Sequence, residues 1–285
     1  MTHCSELSRA GGEAMPGTAP PATIWVVVEH PTGWADAPLA RAGSGVRVLM
    51  ARAGRDRSPQ PGRAARVWVA HLDPEPTLRV GTVADPAEVA GWDLAGMAAG
   101  ALRGWGHPDP DPLLLVCANG RRDRCCGLHG GRLAQHLQAG QGGDRVLTST
   151  HLGGHRFAPT ALVLPTGALH GRLSADAAAD LILLARSGST AAASLRGFST
   201  HTAVQQVAEA HARRVSGHTG GLPLEVRTLS EDGPEARVRV WLPGGLGALD
   251  VRVLAEPARA VLSCGRPAEA TTRWHVVGHA AAPRA

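Results

Sequence analysis

At 285 residues, 44% of them hydrophobic, the chain is long enough for one large domain or two modest ones and can bury a sizeable core. Its net charge of +5 comes from arginines scattered along a chain that has no lysine and no basic block, so no nucleic-acid partner is expected. No apolar run approaches the roughly 20 residues of a membrane span, and residues 1–22 lack the apolar core of a signal peptide, so the expectation is a cytoplasmic protein with no membrane attachment.

The N-terminal residues 1–22 are rich in Gly, Pro, Ala and Ser and read as a flexible segment in which Cys4 is a free thiol. Ile24 to Glu29 is a Val-rich strand ending at His30-Pro31. Val46 to Met50 and Arg66 to His71 are further strands, separated by an Arg/Pro/Gly loop from Gly54 to Gly62. Asp85-Pro86-Ala87-Glu88 opens a helix, with Asp85 as cap, Pro86 at the first helical position and Glu88 as capping-box partner. Val89, Trp92, Leu94 and Met97 give that helix a core face.

After the rigid loop Pro108 to Pro112, Leu113 to Val116 form a short buried strand that delivers Cys117 at its end. Asp123 is placed to cap a helix beginning near Cys125, with Leu128, Leu133 and Leu137 on its buried face. The Cys126 amide and sulfur then fall in the first turn, at the positive end of the helix dipole, where a thiolate is stabilised. His129 and His136 read as surface or half-buried helix residues. A second strand, Arg145 to Thr150, delivers His151-Leu152-Gly153-Gly154-His155. Two adjacent glycines cost about 2 kcal/mol in a helix interior, so this segment reads as a loop. Two thiols and two imidazoles thus leave the same ends of neighbouring strands, a set able to bind a metal centre.

Ala161 to Leu164, Pro165-Thr166-Gly167 and Ala168 to Leu173 read as a hairpin, and Ser174 as the cap of a helix packing through Leu181, Leu183 and Leu184. Strand, helix, strand, hairpin, helix over about 110–187 is the order of a thioredoxin-like unit. The Cys-x-x-Cys of thiol-disulfide exchange is missing. Beyond the linker Ser187-Gly188-Ser189, a helix from Ala203 to Arg214 precedes four strands, Leu224 to Thr228, Ala236 to Leu242, Leu249 to Leu254 and Thr271 to Val277. Pro243 to Gly247 is a turn between two of them and lacks the context of a dinucleotide loop. Cys264 reads as a structural thiol. No internal repeat is visible in the sequence. The division is therefore a flexible N-terminus (1–22), an α/β region (23–190) and a helix with a small β-rich C-terminal part (191–285). Five cysteines, two of them adjacent, do not make a secreted disulfide framework and point to a metal or redox role in a reducing compartment.

Several of these stretches resemble one family. Cys117-x8-Cys126-Gly127 with its Gly-Arg-Arg-Asp, His151-Leu-Gly-Gly-His155-Arg-Phe-Ala-Pro, Leu164-Pro165 and Gly171-Arg172-Leu173 are similar to the sucrase/ferredoxin-like proteins. The likeness extends upstream to Cys4-Ser5, Gly17-Thr18-Ala19 and Trp25 to Pro31. It implies an α/β thioredoxin-like domain with an N-terminal α/β extension, and a [2Fe-2S] cluster on Cys117, Cys126, His151 and His155. Cys126 is preferred to its neighbour Cys125 because the family's ligand directly precedes a glycine.

Two thiolates and two neutral imidazoles leave an oxidised [2Fe-2S] centre neutral, so its potential is expected in the range of about −150 to +300 mV of other His-ligated centres. The second ring nitrogen of each imidazole can carry a proton, which predicts a pH-dependent midpoint. Arg121, Arg122 and Arg156 either favour the reduced centre, dock an acidic redox donor or acceptor, or pair with loop carboxylates; Asp123 and Cys125 complete the surroundings. The expected function is a non-catalytic electron carrier. The alternatives are a structural Cys2His2 zinc site on the same four residues and a thiol-based redox enzyme. No carboxylate pair for sugar hydrolysis stands out.

Overall fold

The computed structural model describes residues 3–30, 45–54, 64–97 and 99–282. Two predicted features, Pro31 after the first strand and the Arg/Pro/Gly loop beyond Gly54, lie outside them.

The fold is mixed α/β, a large mixed sheet plus a small antiparallel one. The first strands are β1 (Ile24–Glu29), β2 (Val46–Arg52), β3 (Ala65–His71), β4 (Thr77–Val83) and β5 (His107–Pro108). They are followed by β6 (Leu113–Cys117), β7 (Val146–Ser149), β8 (Ala161–Leu164), β9 (Ala168–His170) and β10 (Leu195–Phe198). The sheet order is β10-β9-β8-β6-β7-β2-β1-β3-β4-β5. Every residue of β1 and of β6 is buried, which is why both read as unbroken apolar runs.

The order contains a repeat that the sequence does not display. β6 runs parallel to β7 and antiparallel to β8, which turns back into β9. β1 runs parallel to β2 and antiparallel to β3, which turns back into β4. The two four-stranded units meet where β2 pairs antiparallel with β7, so they face each other across an approximate local two-fold.

Helices α3 (Gly131–Ala139) and α4 (Ala175–Arg186) cover one face of the second unit, burying Leu133, Leu137, Leu181 and Ile182 against Leu114, Val116 and Val163. Ser174 caps α4 as expected, its hydroxyl accepting from the Ala177 amide. Leu183, assigned to the packed face, is instead 43% exposed, and Ile182 takes its place. Leu128 is likewise exposed. A π-helical turn, Cys126–Gly130, precedes α3, and its extra residue rotates the helix phase away from the one assumed.

The helix expected after Asp85 is divided. The capping box of Asp85 and Glu88 is present, but it opens a 3₁₀ segment, Pro86–Gly91. Asp93 then caps a separate short helix, α2 (Leu94–Met97), by accepting from the Gly96 amide. Two glycines within six residues weaken one continuous helix, and a second capping side chain offers an alternative start.

The N-terminal segment read as flexible carries helix α1 (Cys4–Ala10), held by a capping box between His3 and Glu6, with Cys4 fully buried. Strand β10, also unforeseen, extends the large sheet beyond residue 190. Helix α5 (Ala203–Ser216) packs against the small sheet of β11 (Val226–Asp232), β12 (Glu235–Leu242), β13 (Gly247–Ala260) and β14 (Glu269–Ala282). These strands pair in sequence order.

Candidate metal centre

Strand β6 ends at Cys117, and its parallel neighbour β7 ends two residues before His151. Asp123 caps the helix between them as expected, accepting from the Cys125 amide at 2.8 Å. The helix can approach the strand end only because its first turns carry glycine. A Cβ at Gly130 would overlap the carbonyl oxygen of Cys117, and one at Gly127 would lie 2.6 Å from the Gly120 Cα. This close seating brings the Cys126 sulfur to Cys117.

The ligand atoms of Cys117, Cys126 and His151 lie within 4.8 Å of one another. His155 stands outside that trio, but its ring centroid is 5.0 Å from that of His151. The loop shape that permits this comes from Gly153 and Gly154, at φ 83° and 69°, a region costly for other L residues. Buried Nδ1 of His151 and both ring nitrogens of His155 have no hydrogen-bond partner among the described residues. Buried polar groups are normally satisfied, so these nitrogens are what a metal group would fill.

The two thiols are hydrogen-bonded to each other. A hydrogen bond from Cys126, opposed by burial and helped by His151 and the Leu152 amide, holds Cys117 well below the usual thiol range. The same pairing with Cys117, with burial, pushes Cys126 up. Burial lowers His155 despite the nearby Asp123 carboxylate, so its imidazole is neutral, the form that coordinates metal.

Of the surrounding residues predicted, Arg121 and Arg122 are exposed beside the cysteine loop. Arg156 is tied to Glu13 at 2.6 Å and stacks on Phe157. Asp123 is buried. Burial opposes its ionisation, but the Cys264 amide, the Ser263 hydroxyl and the Cys125 amide outweigh this and lower its pKa. Its Oδ2 lies 3.7 Å from His155 Nε2. Cys125 faces away from Cys117 and Cys126, towards Cys4 and Cys264. His129 is half-buried, edge-on to His3, and His136 is exposed.

One residue was missed altogether. Arg196, on β10, is fully buried and forms no ion pair among the described residues. Its guanidinium donates to the Gly153 carbonyl at 3.0 Å, to the Thr18 hydroxyl at 3.1 Å and to the Thr18 carbonyl. It thereby clamps the His-Leu-Gly-Gly-His loop to the Gly17-Thr18-Ala19 segment. Burial pushes its pKa down to about 9, against the pull of Cys117 and Cys126. It is therefore a positive charge at neutral pH, within electrostatic reach of the two thiols. A lone strand arginine carries no sequence signal for such a role.

Residues 59–197 match the sequence model of the family described as Sucrase/ferredoxin-like. The match covers just under half of the chain. It includes Cys117, Asp123, Cys125, Cys126, His151, His155 and Arg196, and leaves Cys4 and Cys264 outside. No curated protein and no solved structure matches the chain. The family match is compatible with a redox role, and the buried Cys, His and Asp groups can bind a metal ion. No described helix is long and apolar enough to cross a membrane.

Proposed function

We propose that the chain is an electron carrier whose Cys117, Cys126, His151 and His155 hold a [2Fe-2S] cluster on a thioredoxin-like unit of residues 110–187. The observation that carries this reading is the convergence of Cys117, Cys126 and His151 within 4.8 Å beside the unpartnered nitrogens of His155. The strand order β9-β8-β6-β7, with helices after β6 and after β9, supports the thioredoxin-like description.

The bound cluster supplies reversible one-electron chemistry. The chain's own part is electrostatic and steric. Cys117 and Cys126 are buried and exclude water from the sulfur side. His151 is only partly buried, which gives electrons a short path to the surface. Arg196 supplies a fixed positive charge that favours added negative charge. Arg121 and Arg122, exposed on the same side, suit an acidic face on a redox partner in the cytoplasm.

Anaerobically purified protein is expected to contain about two irons and two sulfides per chain and, once reduced, to give the low average g value of a His-ligated centre. Serine at Cys117 or Cys126 removes the iron, whereas serine at Cys125 leaves it in place. A colourless protein whose Cys117 and Cys126 bind a single zinc, with no iron, would overturn the electron-carrier reading.

A further inference from the structure

A second group of metal-ligating side chains lies beside the first. Cys4 opens helix α1, Cys125 stands at the start of the helix after β6, and Cys264 lies in the loop between β13 and β14. Their sulfurs form a nearly equilateral triangle: Cys4 to Cys125 is 3.5 Å, Cys125 to Cys264 is 3.3 Å and Cys264 to Cys4 is 3.5 Å. Asp123 Oδ1 lies 3.7 Å from the Cys4 sulfur. All four ligand atoms are within 4.8 Å of one another. Cys4, Cys125 and Asp123 are buried, and Cys264 is partly buried.

We infer that Cys4, Cys125 and Cys264, with Asp123 as fourth donor, form a second metal site, for a soft divalent ion of the zinc class, distinct from the centre on Cys117, Cys126, His151 and His155. The spacing is that of a single ion's ligand shell. With zinc-sulfur bonds of about 2.3 Å, an ion would stand about 1.2 Å out of the sulfur plane, and tetrahedral geometry asks for sulfur separations of about 3.8 Å. The observed triangle needs to open by only a few tenths of an ångström. Thiolates and a carboxylate are the donors zinc accepts, and a tetrahedral shell of four protein ligands marks a structural site.

The surroundings are prepared for anionic ligands. The Cys125 amide donates to Asp123 Oδ1 at 2.8 Å, and the Cys264 amide and Ser263 hydroxyl donate to Oδ2 at 2.9 and 2.8 Å. Ser5 lies 3.2 Å from the Cys125 sulfur, and the Cys4 amide approaches Cys264 at 3.5 Å. The three thiols come from positions up to 260 residues apart into a small cluster with Ala158 and Val261, and within it their sulfurs stand 3.3 to 3.5 Å from one another. A shared divalent cation would offset two of the four negative charges, and the amide and hydroxyl donors around Asp123 and the sulfurs stabilise the rest. The site joins α1 and the β13–β14 loop to the cysteine loop. Through Asp123 it also fixes the carboxylate facing His155.

The test is total metal analysis of the full-length protein, purified anaerobically and without added oxidant, alongside two variants. About one zinc per chain is expected in addition to any iron. Cys264→Ser loses that zinc and keeps the iron, whereas Cys117→Ser loses the iron and keeps the zinc, so the two sites fail independently. Should Cys264→Ser not fold, the wild-type protein still decides. Its Cys4, Cys125 and Cys264 should resist alkylation until a chelator removes zinc, and Co²⁺ added to the stripped protein should give the intense thiolate-to-metal absorption of a tetrahedral site. A protein free of zinc that develops no such band with Co²⁺, zinc retained in a folded Cys264→Ser, or a disulfide among the three cysteines would each overturn the inference.

Discussion

Arg196 is the residue whose removal reads out the electrostatics of the site. It has no carboxylate partner among the described residues, lies fully buried and is felt by Cys117 and Cys126. Low-dielectric surroundings magnify such a charge, and salt screens it little. Arg196→Gln is expected to lower the midpoint potential by on the order of 60 mV, a tenfold change for a one-electron couple. Arg196→Lys keeps the charge but breaks the bonds to Gly153 and Thr18, so it should cost stability and leave most of the potential. A titration of both variants checks this; equal potentials in Arg196→Gln and the wild type would reduce Arg196 to a clamp. The sequence announced Cys117, Cys126 and the histidine loop because their spacing is local. Arg196 was silent, and Cys4 and Cys264, read as a free and a structural thiol, gave no sign that they meet, since what gives each its role is a partner far along the chain.

At the scale of elements, the approach of one helix to one strand end sets the geometry of the centre. Gly130 and Gly131 are neighbours in the same helix with different surroundings: a Cβ on the first overlaps the Cys117 carbonyl, and one on the second meets nothing within 4 Å. Gly130→Ala must displace the helix from β6 and is expected to strip iron from the protein. Gly131→Ala should keep the iron and raise stability by up to about 1 kcal/mol, the propensity difference in a helix interior. Iron content and thermal melts of the pair separate the steric requirement from helix propensity. Caps were the best-read local features, since Asp85, Asp123 and Ser174 each accept the amide that their position demands. Short elements were the worst read. Helix α1 has seven residues and β10 four, too few for a period to show, and both owe their form to packing.

For the whole molecule, the question is what holds two four-stranded units together when β2 and β7 share only two register pairs. The C-terminal third supplies much of the answer. Gln206 on α5 donates its amide to the Ala19, Phe198 and His201 carbonyls and accepts from the Ala19 amide. It thereby ties the C-terminal helix to the segment that Arg196 holds. Leu195 and Phe198 are buried against β9 and α4. Each such side chain contributes roughly 1.5–3 kcal/mol, so losing both removes a sizeable part of a net stability of about 5–15 kcal/mol. A chain ended at residue 190 is therefore expected to aggregate or elute in expanded form, and to hold no iron, because Arg196 and the partner strand of β9 leave with it. Gel filtration with iron analysis is the measurement. A truncated chain that stays compact and keeps its iron would make residues 191–285 a separable attachment, with the folding unit ending near residue 190.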